Sequence, residues 1–546
     1  ASTVRRNKVD SSVGVCYTST KETMRNTILV GHVIDKLREL PDESVHLAVT
    51  SPPYLNLRSY STDPQTWGGD ELCEHHFADV NSKGMSGGTA SAMVHRKGSD
   101  NFQIVHNRTV GVCDKCGAYR GELGAEPSVP MFISNLVSVF GEVRRVLRSD
   151  GVIFVNLSDS YAGSGGAGGD YNEGGLREGQ PRYAGTASKL NDGIKPLDLC
   201  GVPFRFALAM QEDGWYWRDT IIWHSNKMPE SMHGWEWRRC RVKVGNNGRG
   251  QARHGNFQNH SGNNVSPDAV WDDCPGCARC EKNDGYILRK GSGRCTRSFE
   301  YVFMFSKTED YYYDSYAIRE PASYDGRKDK KHKGGVKVSD AGYLPNANGQ
   351  SFHGSPHERW QWDNGVAMRN KRNVWAIPTS PQGTYILDGE EVGHFAAWPK
   401  ELVRPMILAG TSPVCCAACG APHARVVDRS LKDGVLKPRD NEKYSGGSEF
   451  LSDKTTLRSD VELNSTGWRP TCECNAGTAK SVVADIFMGS GTTAMVAVEE
   501  GRDWVGCELN PQYVSLAQKR IGETKLKYRH PGEDMELVTE AQQVLF

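Results

Sequence analysis

Three groups of residues in this 546-residue chain have types and spacings that could do chemistry. The first is Thr50-Ser-Pro-Pro-Tyr54. Two consecutive prolines cannot donate backbone hydrogen bonds and hold a stiff extended turn, so neighbouring carbonyls point outward beside a hydroxyl and an aromatic ring. Such a turn suits a planar amino group: Ser51 and a carbonyl near Pro52 and Pro53 accept its two N–H bonds while Tyr54 stacks on its ring. The second group is Ala484-Asp-Ile-Phe-Met-Gly-Ser-Gly-Thr-Thr493. A strand, a glycine turn and a helix start put small residues where a nucleotide-like ligand can approach the backbone. Seventeen residues past Gly491, Glu508 closes the next strand, where a carboxylate can bind ribose hydroxyls.

The third group is cysteines. Cys113-Asp-Lys-Cys116 has the knuckle spacing of a zinc half-site, and Cys73-Glu-His75-His76 could supply the other half. Cys274, Cys277 and Cys280 offer three ligands, with Cys240 or Cys295 as the fourth. Cys415, Cys416 and Cys419 pair in the same manner with Cys472 and Cys474. Tetrahedral zinc takes four N or S ligands, so two to three structural zinc sites are expected, pinning polar insertions that lack their own core. Cys200 and Cys507 fall inside apolar elements and read as core.

The elements that must position these groups alternate. Ile28–Val30 reads as a strand, Val33–Leu40 as a helix and Val45–Val49 as a strand. Asn135–Leu147 has helical apolar spacing; Val152–Val155 follows as a buried strand, Phe204–Met210 as helix and Thr220–Trp223 as strand. After the long middle, Val482–Ile486, Thr492–Glu500, Trp504–Cys507 and Tyr513–Ile521 repeat strand, helix, strand, helix. The alternation predicts an α/β sheet with helices on both faces. Three polar stretches interrupt it: a glycine-rich loop over 161–185, and two basic stretches. His233–Cys295 carries 11 Lys/Arg against 6 Asp/Glu, and Pro321–Trp375 carries 10 against 5, so each is +5. The whole chain balances 66 Lys+Arg against 66 Asp+Glu, so any nucleic-acid surface is a local patch on a neutral body. No apolar run is long enough for a membrane span, and the first residues have no apolar leader; an intracellular, cytoplasmic protein with reduced thiols is expected, with no membrane partner. Trp215, Trp217, Trp235 and Trp237 are expected to pack in the scaffold.

Taken together, these motifs resemble the amino-group DNA methyltransferases that use S-adenosylmethionine (SAM), in the permuted order of their β group. The resemblance covers nearly the whole chain, through Leu40–Val45, Arg144–Leu147, Asn156–Tyr161, Asp219–Trp223, Met228–Ser231, Glu300–Phe303, Tyr311–Asp314, His394–Pro399, Ile407–Gly410 and Gly506–Pro511. It implies a Rossmann-like, circularly permuted fold with a mixed, mostly parallel seven-stranded sheet and zinc-stabilised insertions. A catalytic half would span 22–232 with a knuckle insertion at about 70–120. Target recognition would fall in 233–375, with its Cys-rich basic insertion. A SAM-binding half would span 376–546, with a zinc-ribbon-like insertion at about 412–476. Catalysis is implied for Ser51, Pro52, Pro53 and Tyr54. Cofactor binding is implied for Phe487, Gly489, Ser490, Gly491, Thr492 and Asn510, with Glu508 on the ribose and Asp485 near the amino-acid end. Phe395 and Lys400 belong to a further cofactor-side segment. The spacing in relatives favours His75 over His76 as a zinc ligand. Two departures stand out: Gly31-His32 replaces the usual Gly-Asp, and the stretch between Met228–Ser231 and Glu300–Phe303 is long.

The implied reaction is direct in-line transfer to the exocyclic amine of a base flipped out of duplex DNA, without a cysteine adduct. Ser-Pro-Pro-Tyr is commoner among N4-cytosine enzymes of the family and Asp-Pro-Pro-Tyr among N6-adenine enzymes. A serine hydroxyl can also donate toward cytosine N3, which an ionised carboxylate cannot. N4-cytosine is therefore the expected target and N6-adenine the alternative. The resemblance also implies a bacterial or phage-encoded setting and a cognate restriction endonuclease. A different-class rival is a zinc-bearing DNA-binding protein on an inactive methyltransferase fold; the intact Ser51–Tyr54 and Phe487–Gly491 motifs argue against it. RNA or protein is the remaining alternative substrate.

Overall fold

The computed structural model describes residues 24–55, 62–77, 111–162, 193–195, 198–225, 234–246, 269–290, 293–321, 361–363, 366–379, 385–387, 390–392, 398–431 and 461–526. Residues 163–185 of the glycine-rich loop, most of Pro321–Arg372, Met228–Ser231 and Phe395 lie outside these residues.

The chain ends meet in one sheet. Strand β1 is Thr27–Val30, β2 Val45–Thr50, β3 Leu147–Leu157, β4 Tyr216–His224, β5 Phe299–Ser306, β6 Val374–Ala376, β7 Val482–Asp485 and β8 Asp503–Glu508. Their order is β1-β8-β7-β2-β3-β5-β4-β6. Every neighbouring pair is parallel except those of β5, which runs antiparallel to both β3 and β4. The sheet has eight strands rather than the expected seven. The addition is β6, which pairs Val374 with Ile222 and Trp375 with Trp223 and covers the β4 edge.

Alternation along the strands serves two cores. Ile153, Val155, Phe303 and Phe305 face helices α1 (Val33–Glu39), α2 (Val129–Val146) and α3 (Val202–Glu212). Val152, Phe154, Val302 and Met304 face α4 (Lys400–Gly410), α5 (Thr492–Glu499) and α6 (Pro511–Gly522). Helix α2 begins six residues before the apolar spacing suggested. Ser128 caps it by accepting from the Met131 N–H (3.3 Å), and Pro130 sits in its first turn, where no N–H is needed. Trp215 is buried and Trp217 packs on Phe303 at 5.8 Å, as expected, whereas Trp235 and Trp237 stand 68% and 54% exposed. No helix among the described residues is long and apolar enough to cross a membrane.

Candidate active site and metal centres

Because β2 lies beside β7, the two motifs separated by more than four hundred residues open side by side at the same sheet edge. This is where strand order reverses in an open α/β sheet and where such sheets bind ligands. A cavity of about 280 Å³ lies there. One side is lined by Ser51, Pro52, Pro53, Tyr54, Asn156, Trp223 and Glu300, the other by Asp485, Phe487, Gly489, Ser490, Thr492 and Glu508.

Tyr54 is held from two sides. Its hydroxyl lies 2.7 Å from Asn156 Oδ1 and 2.7 Å from Glu300 Oε2, and Asn156 is itself oriented by donating from Nδ2 to the Tyr301 carbonyl (3.1 Å). Ser51 Oγ makes a long 3.4 Å contact to the same Asn156 Oδ1. Asn156 and Glu300 are nearly fully buried and line the cavity, yet the sequence assigned them no role. The available signal was a polar residue in each of two otherwise apolar strands, which demands a buried partner.

Asp485 joins the two motifs. Oδ1 accepts from Thr50 Oγ1 (2.8 Å) and from the Phe487 N–H (3.2 Å), and Oδ2 accepts from Thr493 Oγ1 (2.6 Å). Burial pushes its carboxyl up to about 6, against the pull of those hydrogen bonds. It is thus a bolt between β2, β7 and α5, with its oxygens engaged by protein donors. Glu508 braces the glycine loop: Oε2 accepts from the Gly489 N–H (2.7 Å), and Oε1 from the Leu509 (3.0 Å) and Asn510 (2.8 Å) N–H groups. A carboxylate offers about four lone-pair sites and three are taken, so acceptor capacity remains for one ribose hydroxyl.

Other residues expected near a cofactor fall elsewhere. Gly491 does not line the cavity; at φ +78° it caps α5, and an added Cβ would meet Ala517 and Ile521 at 3.0 and 3.1 Å, so it serves helix packing. Asn510 caps α6 by accepting from the Gln512 N–H (2.9 Å). Lys400 pairs with the buried Glu499 (2.8 Å) and lies off the cavity. Ser490 does line it, held from behind by Arg520. His32, at the departure from Gly-Asp, also lines it and packs edge-on against Trp67 at 4.5 Å.

Three sets of metal-ligand atoms converge, each with all four atoms within 4.8 Å of one another: Cys73/His75/Cys113/Cys116, Cys240/Cys274/Cys277/Cys280 and Cys416/Cys419/Cys472/Cys474. Two sulfurs on a tetrahedral zinc stand about 3.8 Å apart. Cys240–Cys277 at 3.8 Å, Cys277–Cys280 at 3.5 Å and Cys73–Cys113 at 4.0 Å fit that geometry, as does Cys116 Sγ at 3.3 Å from His75 Nδ1. His76 turns away to Asp114 (2.9 Å). Two expected ligands are not in these sets. Cys295 is exposed, and Cys240 fills its place because the Cys274 N–H donates to the Cys240 carbonyl (2.8 Å) and draws the two segments together. Cys415 points the other way along its strand and contacts the Ala479 carbonyl at 3.3 Å.

The first set also shapes the cavity. Its three-stranded sheet, Gln65–Trp67, Gly111–Val112 and Tyr119–Gly121, leads into a loop whose Glu122 and Leu123 line the wall with Gln65 and Trp67. Gly124, at φ +91°, lets that loop lie against Tyr54; a Cβ there would stand 3.0 Å from the Tyr54 carbonyl oxygen.

A switch-point crevice flanked by these two loops defines an α/β methyltransferase fold. The chain matches the DNA methylase family model (N6_N4_Mtase) over residues 45–414 and 475–519, and it belongs to that family: it is an amino-directed DNA methyltransferase, of N4-cytosine or N6-adenine. Similar proteins include the Type II methyltransferase M.Cfr9I of Citrobacter freundii, 25% identical over 91% of this chain and 87% of its own. The Type II methyltransferase M.SmaI of Serratia marcescens is 27% identical over 73% of this chain and 77% of its own. The solved PvuII DNA methyltransferase (cytosine-N4-specific) aligns over 91% of this chain and 86% of its own, at 14% identity and a TM-score of 0.36.

Proposed function

We propose that this protein transfers a methyl group from SAM to the N4 amine of cytosine at a specific site in duplex DNA. The observation that carries the reading is Ser51, a neutral hydroxyl with one long contact, at the mouth of a cavity shared with the glycine loop. The residues fit SAM: Glu508 keeps acceptor capacity for its ribose, Gly489 and Ser490 form a small-residue wall along it, and the Phe487 ring adds an apolar surface. SAM supplies an activated sulfonium methyl. The chain supplies position and polarity. Ser51 and the Pro52 carbonyl accept from the target amine, localising its lone pair, while Tyr54, fixed by Asn156 and Glu300, holds the base at attack distance. The amine is paired in a duplex, so the base enters flipped.

The three cysteine sets hold structural zinc. The Type II names of the relatives favour a restriction–modification role with a cognate endonuclease, in the bacterial cytoplasm. The test incubates varied duplex DNA with protein and methyl-labelled SAM, then resolves the nucleosides by mass spectrometry. N4-methylcytosine is expected; N6-methyladenine would leave the family assignment intact and remove the role given to Ser51.

A further inference from the structure

The segment between β4 and β5 leaves and re-enters the sheet at the cavity mouth. The Ser225 N–H donates to the Ser298 carbonyl (3.0 Å), and Trp223 and Glu300, on either side of that closure, line the cavity. The excursion is organised around the Cys240/Cys274/Cys277/Cys280 set and projects an antiparallel ribbon, Trp235–Arg239 against Tyr286–Lys290. Side chains alternate across a ribbon, so Trp235, Trp237 and Arg239 share one face with Leu288 and Tyr286, which stand opposite Trp237 and Arg239. Trp235, Trp237, Tyr286 and Leu288 on that face are all exposed, and the Arg239 guanidinium lies over the Tyr286 ring at 5.2 Å. Lone exposed aromatics are ordinary, but a contiguous aromatic face marks an interaction site.

Beside it lies a concavity of about 380 Å³ with Cys240 and Ile287 in its wall and Arg238, Arg239, Arg241, Arg279 and Arg289 around them. Among the described residues Glu236 lies 2.6 Å from Arg238, and Asp273 lies 3.6 Å from Arg241 and 4.0 Å from Arg239. At the stem, Arg294 and Arg297 stack on Tyr161 at 4.4 and 5.2 Å. Guanidinium groups match phosphate oxygens in fork geometry, and a two-stranded ribbon fits the major groove of B-DNA.

Resting on the methyltransferase reading above, we propose that this ribbon is the DNA grip next to the target base. The arginine-walled concavity takes backbone phosphate, and the Trp235/Trp237 face packs into the groove. In a protein of zero net charge, such a local cationic wall also gives binding its salt dependence.

The test measures affinity of the full-length, zinc-loaded protein for a fluorescently labelled duplex across a salt series. Arg241→Ala with Arg279→Ala is expected to weaken binding about 10-fold or more at low salt and to flatten the salt slope by about two. Trp235→Ala with Trp237→Ala is expected to weaken binding at every salt with the slope unchanged. Both pairs should keep wild-type zinc content and SAM affinity, and the Trp→Phe and Arg→Lys pairs should recover most binding. Wild-type affinity in both alanine pairs overturns the grip. Failure of the wild type itself to bind any duplex overturns the methyltransferase reading instead, so the two failures are told apart.

Discussion

At the scale of single residues, the proposed transfer gives Tyr54 the orientation problem, because a stacked ring positions a base only if the ring itself is fixed. Ser51→Ala and Tyr54→Ala are expected to abolish methyl transfer while SAM affinity stays near wild type; full activity in both would remove them from the site. Asn156→Ala and Glu300→Ala each remove an acceptor from the Tyr54 hydroxyl, at about 1–3 kcal/mol for a buried site, so single-turnover rates should fall roughly 10–100-fold. Asp485 makes a separate prediction about pH. Its folded carboxyl is raised to about 6 by burial, so the proton is held more tightly in the folded state than in the unfolded chain. The stability this confers is complete below about pH 4, the unfolded value, and is lost as pH rises through about 6. Asp485→Asn cannot titrate. Over that window wild type should therefore lose up to roughly 3 kcal/mol relative to the variant. Parallel stability curves in denaturant titrations at pH 4 and pH 7 would contradict this.

At the scale of elements, the three cysteine sets do different mechanical work. The first buttresses the catalytic turn through Gly124, whose left-handed φ and 3.0 Å approach to the Tyr54 carbonyl leave no room for a side chain. Gly124→Ala is expected to cost about 1–3 kcal/mol in denaturant unfolding and to lower kcat more than SAM affinity. The third is fastened to the sheet: Arg148 donates to the Cys419 carbonyl (2.7 Å), and His46 bridges the Val482 N–H (3.0 Å) and the Gly420 carbonyl (2.9 Å). Since Nδ1 accepts from Val482, Nε2 carries the proton donated to Gly420. Elemental analysis should find about three zinc ions per chain, and chelation should lower Tm, because metal binding supplies folding energy to inserts with little apolar core. Cys295→Ser and Cys415→Ser should retain all the zinc, whereas Cys240→Ser and Cys416→Ser should each lose one ion.

At the scale of the whole molecule, a neutral chain gathers five arginines around one concavity of its β4–β5 excursion, and the two motifs that flank the cavity come from distant stretches of sequence. The two turns that flank the cavity, the strand–helix alternation and the three CxxC nuclei were legible in the residues themselves, because local backbone chemistry dictates them: proline and glycine set the turns, apolar period sets the elements, and short spacing sets the knuckles. The tertiary structure decided what depends on neighbours remote in sequence. Antiparallel β5 brought Glu300 onto Tyr54, β6 extended the sheet to eight strands, and Asp485, on the cavity wall, became a buried bolt between the two motifs. Cys240 was chosen over Cys295 by a backbone hydrogen bond across a gap of thirty-four residues. Trp235 and Trp237 emerged into solvent because an isolated two-stranded ribbon has only one face to bury. Composition and spacing determine which groups are available and how the chain bends locally. Which of them meet is set by strand order and register, where the free energy depends on burial shared among segments far apart in sequence.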